Sequence, residues 1–391
     1  MKVYLDNNTL TKIDPLVMEA MQPLLTEQSG DLHSLHSFSS TARKLYKEAM
    51  DKIYASIAAS DNDDIVITSS GAESNSMLFM GVYISQILTG RRNSIIISQR
   101  ESPSIMQIAK MLQEQGCKVH KLPINSDGVV EAKTLLDYIT PRTALVSIQS
   151  VDGESGAINP IEEIVEICKR YEVPFHTNAT YALGKVPLNV QDLGVDYLTI
   201  SGETIHAPAG VGALYIKEGN SIPPLIYGSR SHYEQYRGGP VNVAYSVGFG
   251  KAVELAVDAL EFEMEDAKEL RDELEEALRE IDGVTPLIPW SLRVPNTLLI
   301  SVEGIHSEQL LYELNRVGIG AYSHTIYPFG DWEKKSIIEA LGMDSSLKHT
   351  TVGFALSRNT TKEEIDYTIK NIKEIISYLK EFSACTTKES K

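Results

Sequence analysis

An α/β fold with a mostly parallel sheet covered on both faces is predicted by two observations. Seven short apolar runs alternate with helical patterns along the first 216 residues. Several of those runs, such as Ser94 to Ser98, Ala144 to Ile148 and Val211 to Ile216, are near-continuous in apolar residues. A strand apolar throughout is buried on both faces, the condition that crossover helices impose on a parallel sheet.

The elements follow in order. Ile65-Val66-Ile67 precedes a helix from about Glu73, and Ser94 to Ser98 precedes a helix near Ser104 to Gln115. Lys118 to Leu122 reads as a short strand, and Ala144 to Ile148 leads through a turn to a helix from Ile161 to Tyr171. Pro174 to Thr177, Tyr197 to Ile200 and Val211 to Ile216 complete the seven strands. Met77 to Leu88, the most apolar segment, is too short to span a bilayer and reads as a buried helix. Val247 to Glu280 reads as one long helix or a kinked pair, whose charged face is solvated surface. Beyond it, Thr297 to Val302 and helices near Ser307 to Val317 and Lys362 to Phe382 predict a smaller α+β unit. A chain of 391 residues is too long for one ordinary core. The expected division is a large domain over 15–250 and a small one built from 1–14 and 251–391, with the long helix as connector.

Composition excludes several classes. The net charge of −17 argues against nucleic acid and against anionic membranes, and serves solubility. The three Cys (Cys117, Cys168 and Cys385) lack metal-ligand spacing and are too few for a disulfide framework. Met1 to Asp6 enters a strand-like run directly, without a charged-then-apolar leader, so a cytoplasmic location is expected. His33 and His36 have no third ligand near in sequence, and no metal site is expected. Only Thr386 to Lys391 reads as disordered.

The motifs carry more than the composition does. Tyr4-Leu5-Asp6-Asn7-Asn8-Thr9, Leu35 to Phe38 with Ala42-Arg43, Pro160 to Ile164, Asp192 to Asp196, Val247 to Ala252, Pro295-Asn296-Thr297 and Glu363 to Asp366 are similar to segments of the cysteine desulfurases. Ser201-Gly202-Glu203-Thr204-Ile205-His206-Ala207-Pro208-Ala209-Gly210-Val211-Gly212 resembles that family's cofactor loop, S-G-H-K-(apolar)-(Tyr/His)-G-P-K-G-x-G. The chain is thus identified as a member of the cysteine desulfurase family. The resemblance implies a fold-type-I, pyridoxal-phosphate-transferase-like fold: a large domain on a mostly parallel seven-stranded sheet and a smaller α+β C-terminal domain.

At the family's functional positions the side chains differ. Thr204 stands where the family's Lys forms a Schiff base to pyridoxal phosphate, and Glu203 stands at the preceding His. The phosphate-binding turn is Thr68-Ser69-Ser70-Gly71-Ala72-Glu73-Ser74, with Ala72 at a phosphate-contacting Thr. Backbone N–H groups at a helix start still attract an anion there. Ser102 replaces the His that stacks on the cofactor ring, and the family's H-A-N-N-E-I-G is Ser150-Val151-Asp152-Gly153-Glu154-Ser155-Gly156. Asn178 replaces the Asp that pairs with the pyridine nitrogen, and Tyr181 replaces a Gln and reads as a pocket-filling aromatic. Ser201 aligns with a phosphate-contacting Ser. The nucleophile loop corresponds to Gly318 to Tyr327, without Cys, and Gly353 stands at the Arg that clamps the substrate carboxylate; Arg358 matches another position. Lys185 and Lys217 are candidate replacement lysines, but Lys185 matches an additional family lysine and is assigned to the surface. Arg237 and Asn242 resemble a loop that reaches across the family's dimer interface, although Ser229 to Gln235 has lost the family's motif. Cys385 lies in Ser383-Ala384-Cys385-Thr386-Thr387, which resembles the missing nucleophile motif far out of place.

These losses predict a catalytically inactive homologue: no catalytic residues, no bound cofactor, and a residual cleft formed by Ser70, Gly71, Ala72, Glu73, Ser102, Glu154, Asn178, Tyr181, Ser201, Glu203 and Thr204. Such a chain would be a homodimeric scaffold or regulatory partner near iron–sulfur or sulfur-transfer machinery. One alternative is a protein that binds a small phosphorylated or cationic molecule in the remodelled cleft, as ligand or substrate. The other is residual cysteine desulfurase activity with non-covalently held pyridoxal phosphate and Cys385 as sulfur acceptor.

Overall fold

A computed structural model of the chain describes residues 1–27, 30–228, 235–260, 262–323 and 336–389. The elements run β1 (Val3–Tyr4), α1 (Pro15–Thr26), α2 (Phe38–Ser56), β2 (Asp64–Thr68), α3 (Gly71–Val82), β3 (Ser94–Ser98), α4 (Pro103–Glu114), β4 (Lys118–Leu122), β5 (Thr143–Ser147), α5 (Ile161–Arg170), β6 (Phe175–Asn178), α6 (Val190–Leu193), β7 (Tyr197–Ser201) and β8 (Gly212–Ile216). The C-terminal part adds α7 (Val243–Asp258), α8 (Glu263–Arg279), β9 (Val284–Pro286), β10 (Thr297–Val302), α9 (Ser307–Arg316), β11 (Ile319–Gly320), α10 (Ile337–Ala340), β12 (Thr351–Ala355) and α11 (Lys362–Glu389).

The seven expected strands form one sheet in the order β2-β8-β7-β6-β5-β3-β4. β3 to β7 pair in parallel, and β8 runs antiparallel to β2 and β7. The Gly202–Val211 connection closes on itself, with Gly202 N–H donating to Val211 O at 3.0 Å, and carries no crossover helix. Parallel return needs a connection of about a dozen or more residues, so the chain turns back as a hairpin. Alternate side chains of one strand supply opposite cores, as near-continuous apolar runs require. Ile96 and Val146 join the core holding Met21, Ile53, Phe175 and Phe249, whereas Ile95, Ile97 and Leu145 join the one holding Met77, Phe79, Met106 and Leu112.

Elsewhere the local chemistry sets the boundaries. Met77 to Val82 is the buried part of α3, but the expected buried helix does not reach Leu88: Tyr83–Ile87 form a π-helical turn without a buried residue, and Ile84 and Leu88 are exposed. The long charged stretch is a pair, α7 then α8, with Asn242 capping α7 through the Tyr245 N–H at 3.2 Å. α11 extends to Glu389, beyond the Phe382 boundary read from the pattern. A second, antiparallel sheet, β12-β10-β9, packs Leu298, Ile300 and Phe354 with Val3, Leu5, Leu274, Leu314, Ile365 and Ile376 in a separate core. No described helix is long and apolar enough to cross a membrane.

One buried base sits in the middle of the large sheet. His176 of β6 bonds Ser147 Oγ through Nδ1 (2.8 Å) and Thr199 Oγ1 through Nε2 (3.1 Å), with Phe79 edge-on at 6.2 Å. Burial without a carboxylate partner pushes its pKa down to about 3. The unfolded chain takes up a proton near the ordinary imidazole pKa and the folded chain does not. Stability conferred by neutral His176 is therefore complete above about pH 6.5 and falls toward pH 3, by up to about 1.4 kcal/mol per pH unit. Urea unfolding between pH 7.5 and 4.5 is expected to show this slope, and His176→Asn should flatten it. An unchanged slope in the variant would assign the effect to other groups.

Candidate active site

The loops that leave the C-terminal ends of the parallel strands converge on one polar cleft, the usual place for a ligand in an open α/β sheet. Its first wall is the start of α3. Ser70, in extended backbone, caps the helix by accepting the Glu73 N–H at 3.2 Å. Gly71 N–H donates to Ser201 Oγ at 3.2 Å, joining this turn to the end of β7. Ala72 is exposed in the first turn. The Glu73 carboxylate accepts the Ser69 N–H at 2.6 Å and the Arg237 guanidinium Nε–H at 3.0 Å. Burial alone would raise its pKa; the Ser69 and Arg237 bonds outweigh burial and hold it below the usual carboxylate range. Arg237, expected to reach across an interface, thus binds a carboxylate of its own chain.

The second wall is the loop after β7. The Thr204 hydroxyl donates to Thr180 O at 2.8 Å. Glu203 accepts a bond from Ser201 Oγ on its carboxylate, while its backbone oxygen accepts Thr11 N–H and Oγ1–H, each at 2.8 Å. Asn178, at the end of β6, turns its side-chain oxygen to Thr180, accepting N–H at 3.1 Å and Oγ1–H at 2.7 Å.

The floor is aromatic. The Tyr181 ring lies against Gly153, where a Cβ would stand 2.3 Å from a ring carbon. The Tyr322 ring lies in the same way against Gly353, at 2.2 Å, and its hydroxyl donates to Glu154 O at 2.7 Å. Tyr181 therefore fills the cleft as its bulk suggested. Tyr322 occupies the space beside the position where the family carries its carboxylate-binding Arg.

Behind the floor sits a buried ion cluster. Arg100 binds Glu154 (Nη2 to Oε2, 2.5 Å) and Asp152 (Nε to Oδ2, 3.4 Å), and all three side chains are buried. Asp152 Oδ1 also accepts Glu154 N–H (3.0 Å), Ser155 N–H (2.8 Å) and Ser155 Oγ–H (2.9 Å). Ser102 stands at the N-cap position of α4 without a side-chain capping bond, its hydroxyl 3.2 Å from Ser104 Oγ, and among the described residues no hydrogen bond joins it to the Tyr181–Thr204 group.

Two residues were missed. Asn8 was read as scaffold, yet its Nδ2 donates to Gly153 O at 3.2 Å and Thr297 Oγ1 at 2.9 Å. Lys185 was assigned to the surface, but it is buried and donates to Asn8 Oδ1 at 3.2 Å. The turn Ala179–Gly184 folds back beneath the cleft and takes the lysine with it, as in Ala182 N–H to Ala179 O at 3.0 Å. The Tyr322-to-Tyr327 part of the nucleophile loop beyond Ser323, residues 229–234 and the Cys385 side chain lie outside the described residues.

The chain matches the class-V aminotransferase family over residues 3–368. It is 34% identical to the cysteine desulfurase NifS of Azotobacter vinelandii, covering 97% of this chain and 94% of that protein. It is 36% identical to the cysteine desulfurase IscS of Dictyoglomus turgidum, covering 98% and 96%. This chain belongs to the cysteine desulfurase family. A solved NifS-like protein superposes with a TM-score of 0.90 at 31% identity, over 97% of this chain and 100% of that one, so the fold-type-I architecture is also shared.

These matches correct three expectations. The chain was expected not to be an enzyme, to serve instead as an inactive scaffold or regulatory partner, and to hold no cofactor. Relatives aligned over nearly their whole length are cysteine desulfurases, members of a pyridoxal-phosphate-using family. The expectation of inactivity took the replaced side chains as one catalytic unit whose loss abolishes the chemistry, and set the retained helix start and Ser201 below it. The α3 start keeps the strand–turn–helix setting of an anion site, with its Gly71 and Glu73 N–H groups donating to the Ser201 and Ser70 hydroxyls; Thr204 offers the cofactor's aldehyde no amine.

Arg100 is the sole cation bound to Asp152 and Glu154 among the described residues. Arg100→Met should leave two buried carboxylates uncompensated and cost about 3–5 kcal/mol at pH 7. Urea unfolding at pH 7 measures the deficit, and a loss under 1 kcal/mol would exclude this role for the cluster.

Proposed function

We propose that this chain is a cysteine desulfurase that uses pyridoxal phosphate seated at the Ser70–Glu73 turn, with no covalent bond at residue 204. The observation that carries this reading is the full-length match to cysteine desulfurases, with the Ser70–Glu73 turn kept at the start of a helix beside Ser201. When bound, the cofactor supplies an electron sink for the carbon that bears the substrate's amino group. The chain's own residues then have separable tasks. The α3 start with the Ser70 and Ser201 hydroxyls holds an anion. Tyr181 and Tyr322 exclude water from the floor.

The overall exchange is cysteine plus a thiol giving alanine plus a persulfide, which balances without an oxidant. The thiol comes from outside the described core. Burial pushes the Cys117 thiol up to about 11 and the Cys168 thiol up to about 12, so neither is a thiolate at neutral pH. A homodimer is part of the proposal. A surface cavity of about 920 Å³, lined by Arg43, Lys47, Tyr236, Arg237 and Tyr245, opens beside the anion seat, and Leu35 and Phe38 are exposed on the segment that leads into α2. Such a face suits a second copy.

Purified protein given L-cysteine, pyridoxal phosphate and dithiothreitol is expected to form alanine and sulfide in equal amounts. Ser201→Ala, which removes the hydroxyl that accepts the Gly71 N–H and ties the end of β7 to the α3 start, should raise the half-saturating cofactor concentration about fivefold. Absence of alanine at every cofactor concentration would overturn the proposal.

A further inference from the structure

We propose that the small cavity where the turn after β6, the loop after β7 and the segment after β12 meet is a site for a single halide ion, held by Lys185 and His206. The cavity has a volume of about 30 Å³ and is lined by Lys185, His206, Arg358, Asn7 and Asn296, with apolar side chains such as Leu183 completing its wall. That is roughly one water molecule's share of the liquid. A monatomic anion suits such a space, whereas a phosphate ester or an amino acid is too large for it. A halide there neither needs nor excludes pyridoxal phosphate in the cleft.

Two buried groups on this wall have hydrogen-bonding capacity to spare. Lys185 is only 7% exposed. Its ammonium carries three donors, yet among the described residues Asn8 Oδ1, at 3.2 Å, is its sole hydrogen-bond acceptor. The face of the Tyr181 ring lies on another side, its centroid 5.6 Å from Nζ. Arg358 is balanced by Asp14 at 2.5 Å, but among the described residues no carboxylate pairs with Lys185. His206 is fixed from both ends: its N–H donates to Thr11 Oγ1 at 2.7 Å, and its carbonyl accepts the Asp14 N–H at 3.0 Å. These bonds keep it at a φ of 66°, in the left-handed region that residues with a Cβ rarely occupy. Its Nδ1 faces Lys12 O at 2.8 Å and so carries the proton there, which leaves Nε2 without a hydrogen-bond partner among the described residues.

An enclosed ammonium without a counter-ion is costly, and a bound anion removes that cost. Burial brings the Lys185 amine down to about 7, and burial together with the Arg358 and Lys185 charges pushes the His206 imidazole down. A halide favours the protonated form of both, so its binding takes up protons and weakens as the pH rises through 7. The other groups facing them stay fixed over this range. Arg358 and Asp14 remain charged as a pair, and burial keeps the Tyr181 phenol neutral by pushing its pKa up. The ion would join the loop after β7 to the segment after β12, and as a ligand of the folded chain alone it stabilises the fold by mass action.

Sodium bromide is the probe, used with the full-length protein. At pH 6.5, bromide at about 100 mM should raise the midpoint of thermal unfolding by about 2 °C over sodium acetate at equal ionic strength. The gain should shrink about threefold by pH 8.5. Crystals held in the same bromide should show an anomalous bromine peak beside Lys185 and His206. Lys185→Met should lose both the peak and the gain. If that variant fails to fold, the peak and the pH trend of the unaltered protein decide alone. No gain over acetate, or a gain equal at the two pH values, overturns the proposal. Ordered water in place of the bromine peak overturns it too. A peak without any gain in solution marks an adventitious ion only and is equally fatal to the proposal.

Discussion

Arg100 with Asp152 and Glu154 is the interaction on which the rest of the cleft depends. Arg100 follows β3, and the two carboxylates follow β5, so their bonds tie neighbouring strand ends together. In the low-dielectric interior such charges are tolerable only if every lone pair is matched. Asp152 meets this condition: it accepts two backbone N–H groups and a hydroxyl, and its other oxygen accepts Gln149 Nε2–H at 3.0 Å. This holds residues 152–155 in one conformation. Gly153 O is thereby fixed to meet Asn8, and the Gly153 backbone to meet Tyr181. The Glu154 carbonyl meets Tyr322 from the C-terminal part of the chain. One ion cluster thus sets the position of both aromatic floor groups.

The aromatic floor follows a single packing rule. Each tyrosine lies against a glycine, and any Cβ there would collide with its ring. Interiors are packed to near-crystalline density, so a bulky ring and an absent side chain must occur together. Gly153 and Tyr181 are one such pair, and Gly353 and Tyr322 the other. Considered alone, Gly353 is the loss of a carboxylate clamp. Considered with Tyr322, it is half of a repacked wall whose hydroxyl has a new partner. The cleft has been rebuilt as a unit.

Much of the fold was legible from the chain, because the signals for it are local and periodic. Near-continuous runs such as Ser94 to Ser98 announce two-sided burial, and β3 is buried at every position. The reversal of β8 was not legible, since an apolar run carries no direction; the hairpin Gly202–Val211 decides it. In the site, Ser70, Gly71, Ser201, Glu203, Thr204, Asn178 and Tyr181 do converge, because a motif at a strand end is delivered to the same edge of the sheet. Ser102 stays on the α4 side, and Asn8 comes in across a long sequence separation that no motif spacing reports. Lys185 was misplaced for a related reason. Lysine is rarely buried, so its residue type argues for the surface. Only the fold of the Ala179–Gly184 turn reveals the contrary.

Thr204 and Lys185 therefore have to be considered together. The Thr204 hydroxyl, spent on Thr180 O, leaves the loop after β7 as framework. Lys185 lines the same small cavity from the loop that follows the neighbouring parallel strand β6. Enclosing an amine there without a carboxylate opposes folding, because the charged form must shed its proton or remain poorly solvated. That cost is present at every pH below the ordinary lysine pKa and is complete below about 7. A structural lysine would gain stability from an acidic neighbour. Asp6, Asp152 and Glu203 are all near enough to bear on the surrounding tyrosines, yet none contributes to Lys185. The cleft thus keeps its carboxylates engaged with Arg100 and with Ser201, and among the described residues the buried Lys185 amine bonds Asn8 rather than any of them.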